Sequence, residues 1–196
     1  IYDIDSQRIE VIYPGLDTRY KPQSKKEIDR VKKKYNLPDQ YLFSLGTQEP
    51  RKNLARLVEA AIAFPIPIVI AGRHGWGDKT RTLGFVPDAD LPALYSGASV
   101  FVFPSLYEGF GFPVLEAMAC GTPVVTSNLS SLPEVAGAAG VLVDPESVDS
   151  IRRGIRLALK SRAKLIPLGL KQAQKFTWDI TVKQVLEVYE KAAHRD

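Results

Sequence analysis

The sequence is short of the residues that most often announce chemistry. Among 196 residues there is one cysteine, Cys120, and there are two histidines, His74 and His194. A lone cysteine excludes an internal disulfide, so a reducing, cytoplasmic setting is expected. No histidine stands near Cys120 in sequence to activate its thiol, and Cys120 reads as a small core residue. No cysteine–histidine or acidic cluster has metal-ligand spacing, so no metal and no other cofactor is expected. No apolar run approaches the roughly 20 residues of a membrane-crossing helix. Residues 1–20 lack the pattern of a secretory leader, and the chain shows neither an internal repeat nor a low-complexity tract.

What is present is a globular composition, 45% hydrophobic and 24% charged, in a length that suits one domain with a real core. The formal charge of +4 mildly favours anionic partners. Much of the excess sits in "KPQSKKEIDRVKKKY", residues 21–35, as the solvated face of a predicted helix. No nucleic-acid partner is expected, and a peripheral membrane contact is the lesser reading of that basic face.

Along the chain, short apolar runs alternate with helical patterns. "RIEVIYP" (8–14) reads as a strand or a connecting segment, and "SKKEIDRVKKKYNL" (24–37) as a helix. Strand "YLFSLG" (41–46), helix "NLARLVEAAIAF" (53–64) and strand "IPIVIAG" (66–72) follow. Next come a short strand "TLGF" (82–85) and a helix "DADLPALYSGA" (88–98), opened by Asp88 or Asp90. Strand "SVFVFPS" (99–105), helix "FPVLEAMAC" (112–120) and strands "PVVTS" (123–127) and "AGVLVD" (139–144) precede helices over 147–160, 162–175 and 178–193. Strands apolar on both faces and separated by helices imply a Rossmann-like parallel sheet covered on both sides. Its ligands belong at the carboxyl ends of the strands. One join is too short. From Ala71 to Arg81 there is no room for the dozen or so residues of a parallel crossover, so either a segment is absent there or the strand after it pairs differently.

The most informative stretch is "FPSLYEGFGFPVLEAMACGTPVVTS", residues 103–127. Pro113 suits the first turn of a helix, and Gly121 its left-handed stop. Gly109 and Gly111 let the backbone approach a ligand, so Phe110, Gly111 and Phe112 can offer N–H groups to a diphosphate at a helix N-terminus. Two acids flank this cradle, Glu108 before the loop and Glu116 one turn into the helix. Carboxylates repel phosphate but accept well from vicinal hydroxyls. A ligand with hydroxyls at both ends and a diphosphate between them is a nucleotide sugar.

With these residues in place, "EGFGFPVLE" resembles the E-x7-E motif of retaining glycosyltransferases of family 4, which have the GT-B fold. "VIYPGLD" (11–17) resembles their interdomain segment, "GTQEPRKN" (46–53) the first phosphate loop, and "GFVPDADLPALYSGA" (84–98) the base-binding loop with its helix. "ACGTPVVTSNLSSLPEVAG" (119–137) and the late "FTW…YEKA" are similar to the family's tail end. Motifs that are weak singly are specific in this order over nearly the whole chain. The match is to the C-terminal, donor-binding half.

The resemblance divides the chain into an interdomain segment (1–20), a Rossmann-like nucleotide-sugar-binding domain (21–177) and a C-terminal helix (178–196) that crosses toward an absent N-terminal domain. Val182, Val185, Leu186 and Tyr189 of that helix recur at helical spacing. The resemblance further implies that Glu116 takes the ribose hydroxyls and that Glu108 approaches the donor sugar. Lys52 would neutralise the diphosphate beside Gly46, with the Phe110–Phe112 backbone near sugar and phosphate. Phe85, Val86 and Pro87 would frame the base. Where many members carry arginine after the loop glycine this chain has Thr47, and Arg51 stands in for that cation. The implied reaction is metal-free transfer of a hexose with retention, most readily mannose from GDP-mannose, with UDP- or ADP-glucose as alternatives. The acceptor would be a glycan or lipid-linked sugar, met in the cytoplasm at the inner face of the membrane. A GT-B nucleotide-sugar epimerase and a non-catalytic binding module are the rival readings. An isolated donor half should bind but transfer nothing.

Plainer roles exist for single residues. Glu116 suits the helix dipole, Glu134 can brace a helix, and Phe110 and Phe112 suit packing better than base stacking. His74 and Trp76 read as solvated or packed. Arg51 and Lys52 oppose the dipole of the helix they precede, which favours an anion beside them.

Overall fold

A computed structural model describes residues 5, 8–47, 49–72 and 80–193. Six strands are described, β1 (Leu42–Leu45), β2 (Ile68–Ala71), β3 (Thr80–Thr82), β4 (Val100–Phe103), β5 (Val124–Ser127) and β6 (Gly140–Val143). They form one parallel sheet in the order β3-β2-β1-β4-β5-β6. Helices α1 (Lys25–Lys34), α2 (Leu54–Ala61), α3 (Leu91–Gly97), α4 (Phe112–Ala119), α5 (Leu132–Ala136), α6 (Val148–Lys160), α7 (Arg162–Ala173) and α8 (Trp178–Ala193) connect and follow them.

The continuous apolar runs are explained by the two layers of helix. β2, β4 and β5 are buried at every position. On one face, Tyr41, Phe43, Phe101 and Phe103 join residues of α3, α4 and α5 in an aromatic core. On the other, Leu42, Ile70, Val100 and Val125 meet Leu57, Ile151 and Ile155 of α2 and α6 in an aliphatic one. Each fully buried large side chain contributes about 2–3 kcal/mol relative to exposure.

The sheet order places a switch point between β1 and β4. From β1 the chain moves outward to β2 and β3, and from β4 it moves the other way to β5 and β6. The loops after β1 and β4 therefore leave in opposite directions and open a crevice at the carboxyl edge, where such folds bind ligands. Gly72 closes one wall of it. Its φ is 144°, and a Cβ there would fall 1.8 Å from the Gly46 carbonyl oxygen, so only glycine fits.

Two expectations about β3 need correction. β3 spans Thr80–Thr82 rather than 82–85, because Gly84 takes φ 68° and leaves the sheet after one antiparallel bridge to Gly72. β3 pairs parallel to β2, in register Ile68 with Thr80, so a different pairing does not account for the short join. The join itself, 73–79, lies outside the described residues, as do His74, Trp76 and His194. Asp90 occupies the N-cap of α3, but its side chain makes no capping bond and is spent elsewhere. Residues 8–14 form no strand among the described residues and run instead beside α8, where Thr181 Oγ1 donates to the Tyr13 carbonyl at 2.7 Å. The Leu16 amide donates to the Phe176 carbonyl at 2.9 Å.

Candidate donor site

After Gly46 and Thr47 the β1 loop reaches a short 3-10 turn, Pro50–Lys52, that presents Arg51 and Lys52. Asn53 then takes φ 55° and ties the loops together, its side-chain amide donating to the carbonyls of Pro104 (3.0 Å) and Pro145 (2.6 Å). The Leu106 amide donates to the Arg51 carbonyl at 2.7 Å. The β1 and β4 loops are thus joined through main chain before any charge is considered.

Across that seam the sequence-predicted residues meet. Lys52 Nζ donates to Glu108 Oε1 at 2.6 Å and Ser105 Oγ to the same oxygen at 2.6 Å; Arg51 Nη1 reaches Oε2 at 3.0 Å. The Lys52 and Glu108 side chains are only 13% and 11% exposed, a desolvation that strengthens the pair. The Lys52 stem lies against Gly46, and its ammonium stands 4.9 Å from the Phe103 ring centroid. The anion beside the two cations is therefore the protein's own Glu108. The resemblance gives that acid to the sugar and leaves the cations for a ligand, whereas here they are paired. Thr47 donates to Glu49 at 2.6 Å, and Glu49 also accepts from Arg51 at 2.7 Å, so the arginine is held toward the seam from both sides.

The loop 108–111 is pinned from the turn after β5. The Glu108 amide donates to Ser130 Oγ at 3.1 Å, and Ser131 Oγ donates to the carbonyls of Glu108 (2.9 Å) and Phe110 (2.7 Å). Gly111, at φ 109°, is the N-cap of α4, and a Cβ there would meet Leu132 at 2.7 Å. Among the described residues, none accepts a hydrogen bond from the amides of Phe110, Gly111 or Phe112. Pro113 has no N–H, so these amides are the open donors at the head of α4.

Glu116 belongs to a second cluster. Its Oε2 accepts from the buried Tyr95 hydroxyl at 2.7 Å, and the Tyr20 hydroxyl is turned to the same carboxylate. Burial raises its pKa, opposed by those phenol bonds; the nearby Asp88 raises it further and Arg19 lowers it. Asp88 lies in the loop that includes Phe85 and Val86. Phe85 is 83% exposed, whereas the Val86 side chain is part of the core and leaves only its backbone for a ligand. Phe110 packs between Tyr13, Phe112 and Phe176, at ring separations of 6.1, 5.0 and 5.9 Å. Glu134 accepts from the Tyr13 hydroxyl and so braces the N-terminal segment. Cys120 is buried, and burial pushes its thiol up to about 12.

Ser105, Ser130, Ser131, Tyr20 and Tyr95 were not singled out by sequence. Only the serine pair before "LPEV" gave a local sign, as a hydroxyl-rich turn next to a helix start.

Comparison with known proteins shows the family. The family described as glycosyl transferases group 1 matches residues 25–175. The chain is 39% identical over 213 residues to O-antigen chain mannosyltransferase B of Escherichia coli, across 96% of this chain and 56% of that protein. It is 36% identical over 212 residues to the serotype-specific mannosyltransferase WbdA of Escherichia coli, across 94% of this chain and 26% of that protein. The chain thus spans about half or less of the length of the curated relatives it matches. Sucrose-phosphate synthase from Thermosynechococcus elongatus superimposes with a TM-score of 0.81 at 25% identity, over 95% of this chain and 53% of that one.

Proposed function

The chain belongs to the group 1 glycosyl transferases, and from that premise we propose that it is the donor half of a metal-free, retaining mannosyltransferase. GDP-mannose is the donor, and a glycan or lipid-linked sugar held by a further domain is the acceptor. The observation that carries this reading is the meeting of Arg51, Lys52 and Glu108 at the switch point, beside three open amides.

These groups suit the transfer step. As the bond to the sugar breaks, positive charge grows on the ring and negative charge on the departing diphosphate. Lys52, Arg51 and the amides of residues 110–112 meet that negative charge already oriented, which lowers the barrier more than it stabilises the bound donor. Loss of Lys52 costs about 3–4 kcal/mol of transition-state stabilisation, by analogy with other oriented donors. Binding exchanges partners. The diphosphate takes the cations from Glu108, and the released carboxylate turns to the sugar hydroxyls.

Helix α8 has no buried residue, and its Val182, Leu186 and Tyr189 are each more than half exposed. An apolar face of that kind suits contact with the acceptor-binding domain, at the cytoplasmic side of a membrane. No helix among the described residues is long and apolar enough to cross one.

Calorimetric titration with GDP, UDP and ADP tests the reading. GDP should bind best, Lys52→Ala should weaken binding by about 100-fold or more, and the chain alone should turn over no nucleotide sugar. A Lys52→Ala variant that binds like the parent would sink the assignment.

A further inference from the structure

One buried hydroxyl has no part in the mechanism above. Tyr95 is fully buried in α3, yet its oxygen reaches Glu116 at 2.7 Å. Its ring is gripped by Phe101 (5.1 Å), Phe43 (5.3 Å) and Tyr20 (6.1 Å), and its carbonyl accepts from Thr122 Oγ1 at 2.5 Å. A phenol held this firmly is a fixed donor, and Glu116 is a partly buried side chain of α4 with rotamer freedom of its own to lose.

We propose that Tyr95 is a positioning residue: by fixing one oxygen of Glu116 it turns the other toward the vicinal hydroxyls of a ribose and makes the site select ribonucleotides over deoxyribonucleotides. This rests on the reading of Glu116 as the ribose acceptor. A carboxylate aimed by a rigid partner accepts from two neighbouring hydroxyls with little loss of rotamer freedom, whereas a free one orders itself at each binding event. The bond has an electrostatic consequence as well. Burial favours the protonated acid at Glu116, and a protonated acid accepts poorly from a diol. The Tyr95 and Tyr20 hydroxyls oppose burial by stabilising the anion. The other groups facing the carboxylate are Asp88, which disfavours the anion, Arg19, which favours it, and the Cys120 thiol beside it.

The test uses the nucleoside diphosphate that the parent chain binds best, its 2′-deoxy form, and inorganic pyrophosphate. Tyr95→Phe keeps the ring and removes only the oxygen. Ribonucleotide affinity should fall about tenfold, by the size of a lost bond to a charged group. Pyrophosphate affinity should not change, and the ribose-to-deoxyribose ratio should collapse toward one. The acid limb of ribonucleotide binding should move to higher pH, because removing a donor to the anion raises the pKa at Glu116. Tyr20→Phe, on the chain's outer segment, should shift the same readouts less and serves where Tyr95→Phe lowers the melting point. Glu116→Ala separates the two ideas. A ratio that collapses in Glu116→Ala but persists in Tyr95→Phe and Tyr20→Phe overturns the role of Tyr95 alone. A ratio that persists in Glu116→Ala as well overturns the ribose assignment with it.

Discussion

Two clusters in this domain are assembled from nearly the same parts. Glu108 accepts from an arginine, a lysine and a serine hydroxyl. Asp90 accepts from Arg30 at 3.0 Å, Lys34 at 2.5 Å and the Tyr35 hydroxyl at 2.7 Å. The Asp90 side chain is only 4% exposed, and all three donors come from the exposed side or end of α1, so the cluster staples α1 to α3. The Glu108 cluster joins two loops at the switch point, and its lysine is itself largely buried. The difference lies in what surrounds each acid. Around Asp90 the bonds fasten two helices, whereas beside Glu108 a row of amides at the head of α4 is left open. The make-up of an ion-pair cluster does not mark a site; unspent donors beside it do.

The comparison can be broken most sharply at Lys52. Lys52→Ala should weaken nucleoside diphosphate binding by about 100-fold or more, the size of a charge-assisted bond in a dry site, and also lower the melting point, because Glu108 stays largely buried with one cation fewer. Calorimetry with a parallel thermal melt reads both. Asp90→Ala should change stability alone. It should cost about 2 kcal/mol of stability, at the low end for a broken buried pair because the Arg30 and Lys34 side chains are 45% and 48% exposed. That lowers the melting point by about 4–8 °C in a domain of this size, while ligand affinity stays level. If Asp90→Ala abolishes binding, the division between staple and site fails.

Glu108→Gln sharpens the contrast, because it removes the internal anion and keeps the shape. Inorganic pyrophosphate should then bind about three- to tenfold tighter, since the cations no longer have a competing carboxylate. Weaker pyrophosphate binding in this variant would show that Glu108 holds the cations in place rather than standing in for the ligand. The smallest effect is in acid. Burial alone would raise the pKa of Asp90, but the bonds from Lys34, Tyr35 and Arg30 outweigh it and hold the carboxyl below its usual 3.8. The stability it contributes is therefore complete above that value and is lost as pH falls through the lower folded pKa. Urea titrations of the parent and Asp90→Asn should differ by a constant amount from neutral pH down to about 4 and converge below it.

Much of the frame is legible in the residues. "YLFSLG", "IPIVIAG" and "SVFVFPS" are apolar at consecutive positions because helices cover both faces, and each contains an observed strand. Pro113, Gly111 and Gly121 mark the start and stop of α4 through backbone chemistry that acts over a few residues. The same local logic pointed to Glu108 and Glu116, and the family resemblance to Arg51 and Lys52. It did not reach their partners. Lys52 meets Glu108 across 56 positions, Tyr95 meets Glu116 across 21, and Ser131 meets the Phe110 carbonyl across 21. It set Asp90 at the head of α3 but did not show that its carboxylate is taken by two cations and a phenol from another helix.

Hydrophobic order and backbone restraint are properties of neighbouring residues, and they settled every strand but β3, the helices and the head of α4 from the letters alone. Which acid faces a cation and which faces a phenol is a property of the crevice where β1 and β4 diverge. It exists only once six strands have taken their order, because a carboxylate's partners are whatever donors packing brings within about 3 Å of it.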